Sequence, residues 1–323
     1  MNRFAAQYRI QLEPSYTPDG YFSPAIIVQG GGYSNKGRET LSCEEYRNKL
    51  NDSAIAGYNI LKYNGTAVDA VEKAVSALED CELFLAGYGS PLNKEMEVEC
   101  DAMIMDGSTL ETGAVISGRH FKNPVCLSRQ IMEKTPHCAL NGDGALNFAI
   151  GNNLPCCEPK DLRTPNYRFD PFVFEEFVKT GYRFHGEPRD SVCAVAIDSK
   201  GRLASALSSG GIWGKMKGRV GDVPFVGCGG YANDKGAAAT TGHGEKLIKL
   251  TLARQVVFDM EAGRNAQEAA ENAVNLLETR LSGHGGVISI DCNGNIGKAF
   301  NTDLMAWASI KHNVLEGGLE KNE

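Results

Sequence analysis

The run Asp190-Ser191-Val192-Cys193-Ala194-Val195-Ala196-Ile197-Asp198 places a hydroxyl residue at the head of an apolar, strand-like segment. A serine hydroxyl can attack the carbonyl carbon of the preceding residue when the backbone there is strained. Hydrolysis of the resulting ester leaves a chain that begins at Ser191. Its free α-amine would have a pKa near ~8 and could act as general base on its own hydroxyl. Nucleophile and base would then belong to one residue. The plainer reading is that Ser191 only opens a strand, Asp-Ser being a common turn pair. Gly218-Arg219-Val220-Gly221-Asp222 sets a guanidinium and a carboxylate on a Gly-flanked loop. Arg219 could hold an α-carboxylate bidentately while Asp222 accepts from an α-ammonium; an exposed surface pair is the alternative. Thr241-Gly242-His243-Gly244-Glu245 joins a strand to a helix. Its N–H groups and Thr241 hydroxyl could hold an oxyanion, or Thr241 could simply cap a turn. His243 reads as solvated or structural. Gly30-Gly31-Gly32 could bring backbone close to a ligand, but matches neither G-x-G-x-x-G nor a P-loop.

The elements that must position these residues are readable in outline. Ala25–Val28 is a short buried strand, and the stretch from Glu44 to Tyr63 is a helix stopped by Asn64-Gly65. Thr66 caps a second helix, with Asp69 three residues on. Ala102–Met105 and Ala114–Ile116 are strands around an Asp106-Gly107 turn, and residues 122–151 read as helical. Residues 158–190 form a long irregular link, with one short helix near 172–178. Val192–Ile197 and Arg202–Leu207 flank a Ser199-Lys200-Gly201 hairpin, and Ala237–Thr241 is a further strand. Glu245–Glu261 and Ala266–Leu281 are two helices, and Gly286–Asp291 with Ile296–Phe300 form another hairpin. Two clusters of strands separated by helices predict an α/β protein built as an αββα sandwich. Residues 1–22 read as a flexible N-terminal extension and 23–323 as a single domain. No internal repeat is visible.

Composition narrows the function. The 323 residues can bury a sizeable core, and a net charge of −7 gives no sign of a nucleic-acid partner. No apolar run approaches a membrane span, and the first twenty residues lack the apolar core of a signal peptide. The ten cysteines contain no C-x-x-C pair, so a zinc ribbon is not supported. They read as reduced, mostly buried thiols of a cytoplasmic protein.

Taken in order, these segments resemble the plant-type or isoaspartyl-peptidase class of L-asparaginases, among the N-terminal nucleophile hydrolases. Within it, they are most similar to the animal asparaginase-like cytosolic members. The likeness runs over residues 24 to 312 and includes Gly65–Val71, Glu99–Gly107, Met132–His137 and Gly227–Ala232. Lysosomal glycosylasparaginase and the protease taspase share the fold. The lack of a signal peptide argues against the first, and Asp222 with His243 argues against the second. The resemblance implies an αββα four-layer sandwich, self-cleavage between Asp190 and Ser191 into α and β chains, and dimers of the cleaved unit. It implies hydrolysis of L-asparagine and β-aspartyl dipeptides. The nucleophile maps onto Ser191, a second hydroxyl onto Ser209, and substrate carboxylate and ammonium contacts onto Arg219 and Asp222. Oxyanion stabilisation maps onto Thr241 and Gly242. No cofactor is implied beyond a structural sodium ion, where members carry one, in the loop near Leu78–Leu92.

Several positions depart from the family pattern. Ser191 replaces Thr, losing the methyl that restricts χ1; slower processing and turnover are expected. Cys193 replaces Gly, Gln29 the His of an early His-Gly-Gly, and Leu85 an active-site Asn. Trp213-Gly214-Lys215 stands where a small residue precedes Asn-Lys. Two readings follow: an active, self-processing asparaginase or isoaspartyl dipeptidase, or a silent pseudoenzyme that keeps the fold and the grip of Arg219 and Asp222 as a binding or structural protein.

Overall fold

The structure, a computed structural model, describes residues 7–12, 22–33, 43–164 and 191–320. The first half runs β1 (Tyr8–Gln11), β2 (Ala25–Tyr33), α1 (Cys43–Lys62), α2 (Ala67–Glu79), β3 (Cys100–Asp106), β4 (Thr112–Gly118), α3 (Pro124–Lys134), β5 (Leu140–Asn141) and α4 (Gly142–Gly151). The second half runs β6 (Val192–Ile197), β7 (Leu203–Ser209), β8 (Gly230–Ala232), β9 (Gly236–Gly242), α5 (Gly244–Leu250), α6 (Leu252–Glu261) and α7 (Ala266–Leu281). It closes with β10 (Gly285–Asp291), β11 (Ile296–Phe300), β12 (Leu304–Lys311) and β13 (Val314–Glu320).

The strands form a nine-stranded sheet in the order β1-β13-β12-β2-β6-β7-β3-β4-β5 and a four-stranded sheet in the order β11-β10-β9-β8. Among the described residues, only the β4–β5 strand pair is parallel. Side chains alternate across a strand, so each central strand feeds two cores. On β2, Ile26 and Val28 join α1, α2 and α3 in one core, while Ala25 and Ile27 face the other sheet. On β6, Val192, Ala194 and Ala196 face the helices, and Cys193, Val195 and Ile197 face the second sheet. The far side of that sheet carries α6 and α7 on Val256, Val257, Ala270 and Leu277. The layers are helices, sheet, sheet, helices, as the sequence predicts.

Local chemistry explains the elements that were legible. Thr66 and Asp69 exchange side-chain and backbone hydrogen bonds in a capping box at the head of α2. Asn64 takes the left-handed backbone, φ 63°, that ends α1.

Four expectations need correction. Residues 122–151 are not one helix, because α3 ends before Thr135-Pro136 and β5 intervenes before α4. Glu245–Glu261 is two helices, broken where Thr251 adopts φ 46°. Within the predicted N-terminal extension, Tyr8–Gln11 pairs antiparallel with β13, and the Tyr8 hydroxyl donates to Asn51 on α1. The thiols are less buried than predicted: Cys100, Cys193 and Cys228 are buried, but Cys138 and Cys156 are exposed. Most of the predicted link, with its helix near 172–178, and Asp190 lie outside the described residues. Among the described residues, no helix is long and apolar enough to cross a membrane.

Candidate active site

Ser191 stands one residue before β6 and is buried. The alternation that turns Cys193, Val195 and Ile197 toward the second sheet does the same for Ser191. There its backbone N–H donates to the Thr241 hydroxyl at 3.4 Å. Ser209 ends β7 opposite Asp101, and its hydroxyl accepts from the Gly211 N–H at 3.0 Å. Ser191, Ser209, Arg219, Asp222 and Gly242 line one cleft together with Asp101. Thr241, fully buried, supports Ser191 from β9. The cleft encloses about 290 Å³ including its open mouth.

The Arg219–Asp222 pair is not a surface ion pair. Asp222 is 3% exposed, and the Arg219 side chain is 11% exposed. Burial pushes the Asp222 carboxyl up to about 6, against the lowering effect of its own backbone N–H, Arg219 and Thr240. Arg219 donates through Nε at 3.0 Å and Nη2 at 2.9 Å to one oxygen of Glu245. Its Nη1 sits over Gly211 and Gly221, where an added Cβ would lie 3.2 and 3.0 Å away. The loop bearing Arg219 is itself tied down. The Gly218 N–H donates to the buried Glu99 carboxylate, and the buried Lys215 ammonium donates to the Glu99 carbonyl at 2.8 Å. Desolvation lowers the Lys215 pKa.

Gly242 has φ 128°, and a Cβ there would lie 2.4 Å from the His284 carbonyl, so only glycine fits. His243 precedes α5; its N–H donates to His284, and it does not line the cleft. Leu85 does not line it either. Its carbonyl accepts from the Gly210 N–H at 2.7 Å, a contact any residue at this position can make. Gln29 and Cys193, opposite one another on β2 and β6, touch at 2.9 Å. Sequence reasoning did not assign Asp101, Glu99, Lys215 or Glu245 to the site. Glu245 closes the Thr241–Glu245 segment and Asp101 lies in Glu99–Gly107, but neither role has a signal short of the contact itself.

Comparison with known proteins gives the family. A family model described as asparaginase matches residues 22–318. The chain belongs to the asparaginase family. It is 45% identical over 303 residues to a rat isoaspartyl peptidase/L-asparaginase, covering 92% of this chain and 89% of the relative. Its identity to the bovine protein of the same name is 43% over 300 residues, covering 92% and 96%. A plant-type L-asparaginase of Pyrococcus abyssi is 37% identical over 302 residues, covering 90% and 98%. In this asparaginase-family chain, Ser191 and the Arg219–Asp222 pair open onto one cleft although they are about thirty residues apart in sequence.

Proposed function

We propose that the chain is a self-processing amidohydrolase that cleaves L-asparagine and β-aspartyl dipeptides, with Ser191 as an N-terminal nucleophile. The observation that carries this reading is the convergence of Ser191, Arg219 and Asp222 on one small cleft. In maturation, the Ser191 hydroxyl adds to the Asp190 carbonyl carbon and the peptide C–N bond breaks. Water then hydrolyses the ester, leaving the Asp190 carboxylate and a free Ser191 amine. In turnover, Arg219 holds the substrate α-carboxylate and ionised Asp222 accepts from the α-ammonium. The Ser191 hydroxyl attacks the side-chain carbonyl while its own amine takes the proton. The Thr241 hydroxyl and Gly242 N–H hold the oxyanion. That proton passes to the leaving ammonia or amino acid, and water hydrolyses the acyl ester to aspartate.

The second reading, a silent relative that keeps only the amino-acid grip, is favoured by one contact: Glu245 already holds Nε and Nη2 of Arg219. Taspase-like proteolysis fits less well, because a buried Asp222 selects a free α-ammonium over a peptide N–H. Dimers of the cleaved unit and a cytoplasmic setting belong to the same proposal. So does a sodium ion near Leu78–Leu92. The carbonyls of Cys81, Glu82 and Phe84 crowd within 3.1 Å of the place a Gly89 Cβ would take. Such oxygens suit a hard cation, which would stiffen the loop. Intact mass of the purified chain, before and after days of incubation, tests the central claim. Two fragments divided between Asp190 and Ser191, with ammonia released from asparagine, are expected. A single persistent chain near 34.8 kDa would sink it.

A further inference from the structure

Gln29 and Cys193 are two departures from the family pattern that lie 164 positions apart in the chain and meet in the interior. Gln29 is 1% exposed and Cys193 fully buried. The Gly31 N–H donates to Gln29 Oε1 at 3.0 Å, and Gln29 Nε2 donates to Cys193 Sγ at 2.9 Å. The Cys193 thiol in turn donates to the Thr240 carbonyl at 3.4 Å. Desolvation, first of all, raises the thiol pKa well above its ordinary value, so the sulfur keeps its proton and can donate. Each side chain thus depends on the other. Remove the sulfur, and the buried Gln29 amide loses its acceptor. Remove the amide, and the sulfur has no donor facing it and the Gly31 N–H no carboxamide oxygen. Buried polar groups left in this state are costly.

The bridge joins three strands, two of which adjoin residues of the cleft. On β2 the Gln29 amide oxygen accepts from the Gly31 N–H within the same strand. On β6 it is two residues from Ser191. On β9 it ends on Thr240, whose hydroxyl lies 3.4 Å from Asp222, one residue before Thr241, which accepts from the Ser191 N–H, and two before Gly242, which lines the cleft. We infer that Gln29 and Cys193 are a matched pair of positioning residues that set the spacing of β6 from β9, and with it the placement of Ser191 against Thr241. This inference rests on reading Ser191 as the nucleophile.

The test is a double-mutant cycle in the full-length chain: Gln29→Met, Cys193→Ala, both together, and Cys193→Ser as the conservative variant. The readouts are the rate at which the fragment beginning at Ser191 appears, kcat and KM for L-asparagine, and the thermal midpoint. Either single change should slow self-cleavage and lower kcat about tenfold, the double no more than either single, as coupled neighbours behave. KM should hold, because neither side chain touches Arg219, and Cys193→Ser should recover most of the loss, since a hydroxyl still accepts from Gln29. Losses that multiply in the double variant, a change confined to KM, or no recovery in Cys193→Ser would overturn the inference. If the unaltered chain neither cleaves nor hydrolyses asparagine, the proposed function fails first. The pair is then judged on the midpoint cycle alone, where additive shifts refute it.

Discussion

Gly244 shows how closely the proposed substrate grip is built at the level of single atoms. A Cβ on Gly244 would lie 3.0 Å from Asp222 Oδ1 and 3.1 Å from Arg219 Nη2. Neither side chain can retreat far, since Asp222 is buried and Arg219 is held by Glu245. Gly244→Ala should therefore raise KM for L-asparagine about tenfold or more, the cost of misplacing an oriented contact, while the fold survives. Steady-state kinetics with a thermal scan checks both halves. As the proposed ammonium acceptor, Asp222 should also make the reaction sensitive to acid. With its carboxyl raised to about 6, it is ionised above that pH and neutral below it. Only the ionised form attracts an ammonium, so kcat/KM should fall as pH drops through 6, approaching about tenfold per unit. Asp222→Asn should abolish that limb and most of the activity with it. A pH–rate profile in which the limb persists in the variant would assign it elsewhere. The candidate site residues could be picked out because Arg219, Asp222, Thr241 and Gly242 sit in short Gly-flanked segments. Glu245's hold on Arg219 and the Gln29–Cys193 contact could not, because they exist only through tertiary approach.

Among the elements, α2 carries the sharpest prediction. Its last residue, Glu79, is fully buried, and desolvation raises its carboxyl to about 8. One oxygen accepts from the Val125 N–H at 3.1 Å, tying α2 to α3. The other has no hydrogen-bond partner among the described residues, with the Ser208 side chain beside it. The folded chain therefore holds a proton there that the unfolded chain releases near the ordinary carboxylate pKa. Stability linked to Glu79 is full below pH ~4.5 and is lost as pH rises through about 8. Glu79→Gln carries a neutral amide and should gain midpoint temperature over the parent as pH climbs across that window. The expected gain between pH 5 and pH 9 is on the order of 4 kcal/mol. Thermal melts at pH 5 and pH 9 decide it; a constant difference would show that Glu79 does not titrate there.

Elements also divide by how they announce themselves. The capping box of α2 and the hairpin before β7 were written locally. The breaks that were missed lack such marks. Thr251 interrupts α5 and α6 inside Leu250-Thr251-Leu252, which keeps helical spacing and holds no Gly or Pro. β12 and β13 went unread because Leu304–Lys311 is buried on both faces and shows no alternation, and Gly317-Gly318 weakens Val314–Glu320 as a strand.

At the scale of the molecule, the strand order matters more than any contact. Strands β1 to β5 precede Ser191 and β6 to β13 follow it. In the large sheet they interleave: β1 pairs with β13, β12 with β2, β2 with β6, and β7 with β3. Cleavage before Ser191 leaves all four of these seams intact. The two fragments should migrate as one species in native gel filtration, with separation only in denaturant. Free fragments under native conditions would contradict this sheet order.

The same interleaving gives the molecule a direction in time. While the chain is continuous, strands from its two halves find one another as parts of a single molecule, and folding is independent of concentration. After division, the same search needs two partners to meet, each carrying strands with exposed edges and a tendency to aggregate. The uncut precursor can unfold and recover; the cut form, once unfolded, has lost the tether that made recovery a first-order process. Cleavage before Ser191, as proposed, would be a one-way step on this fold.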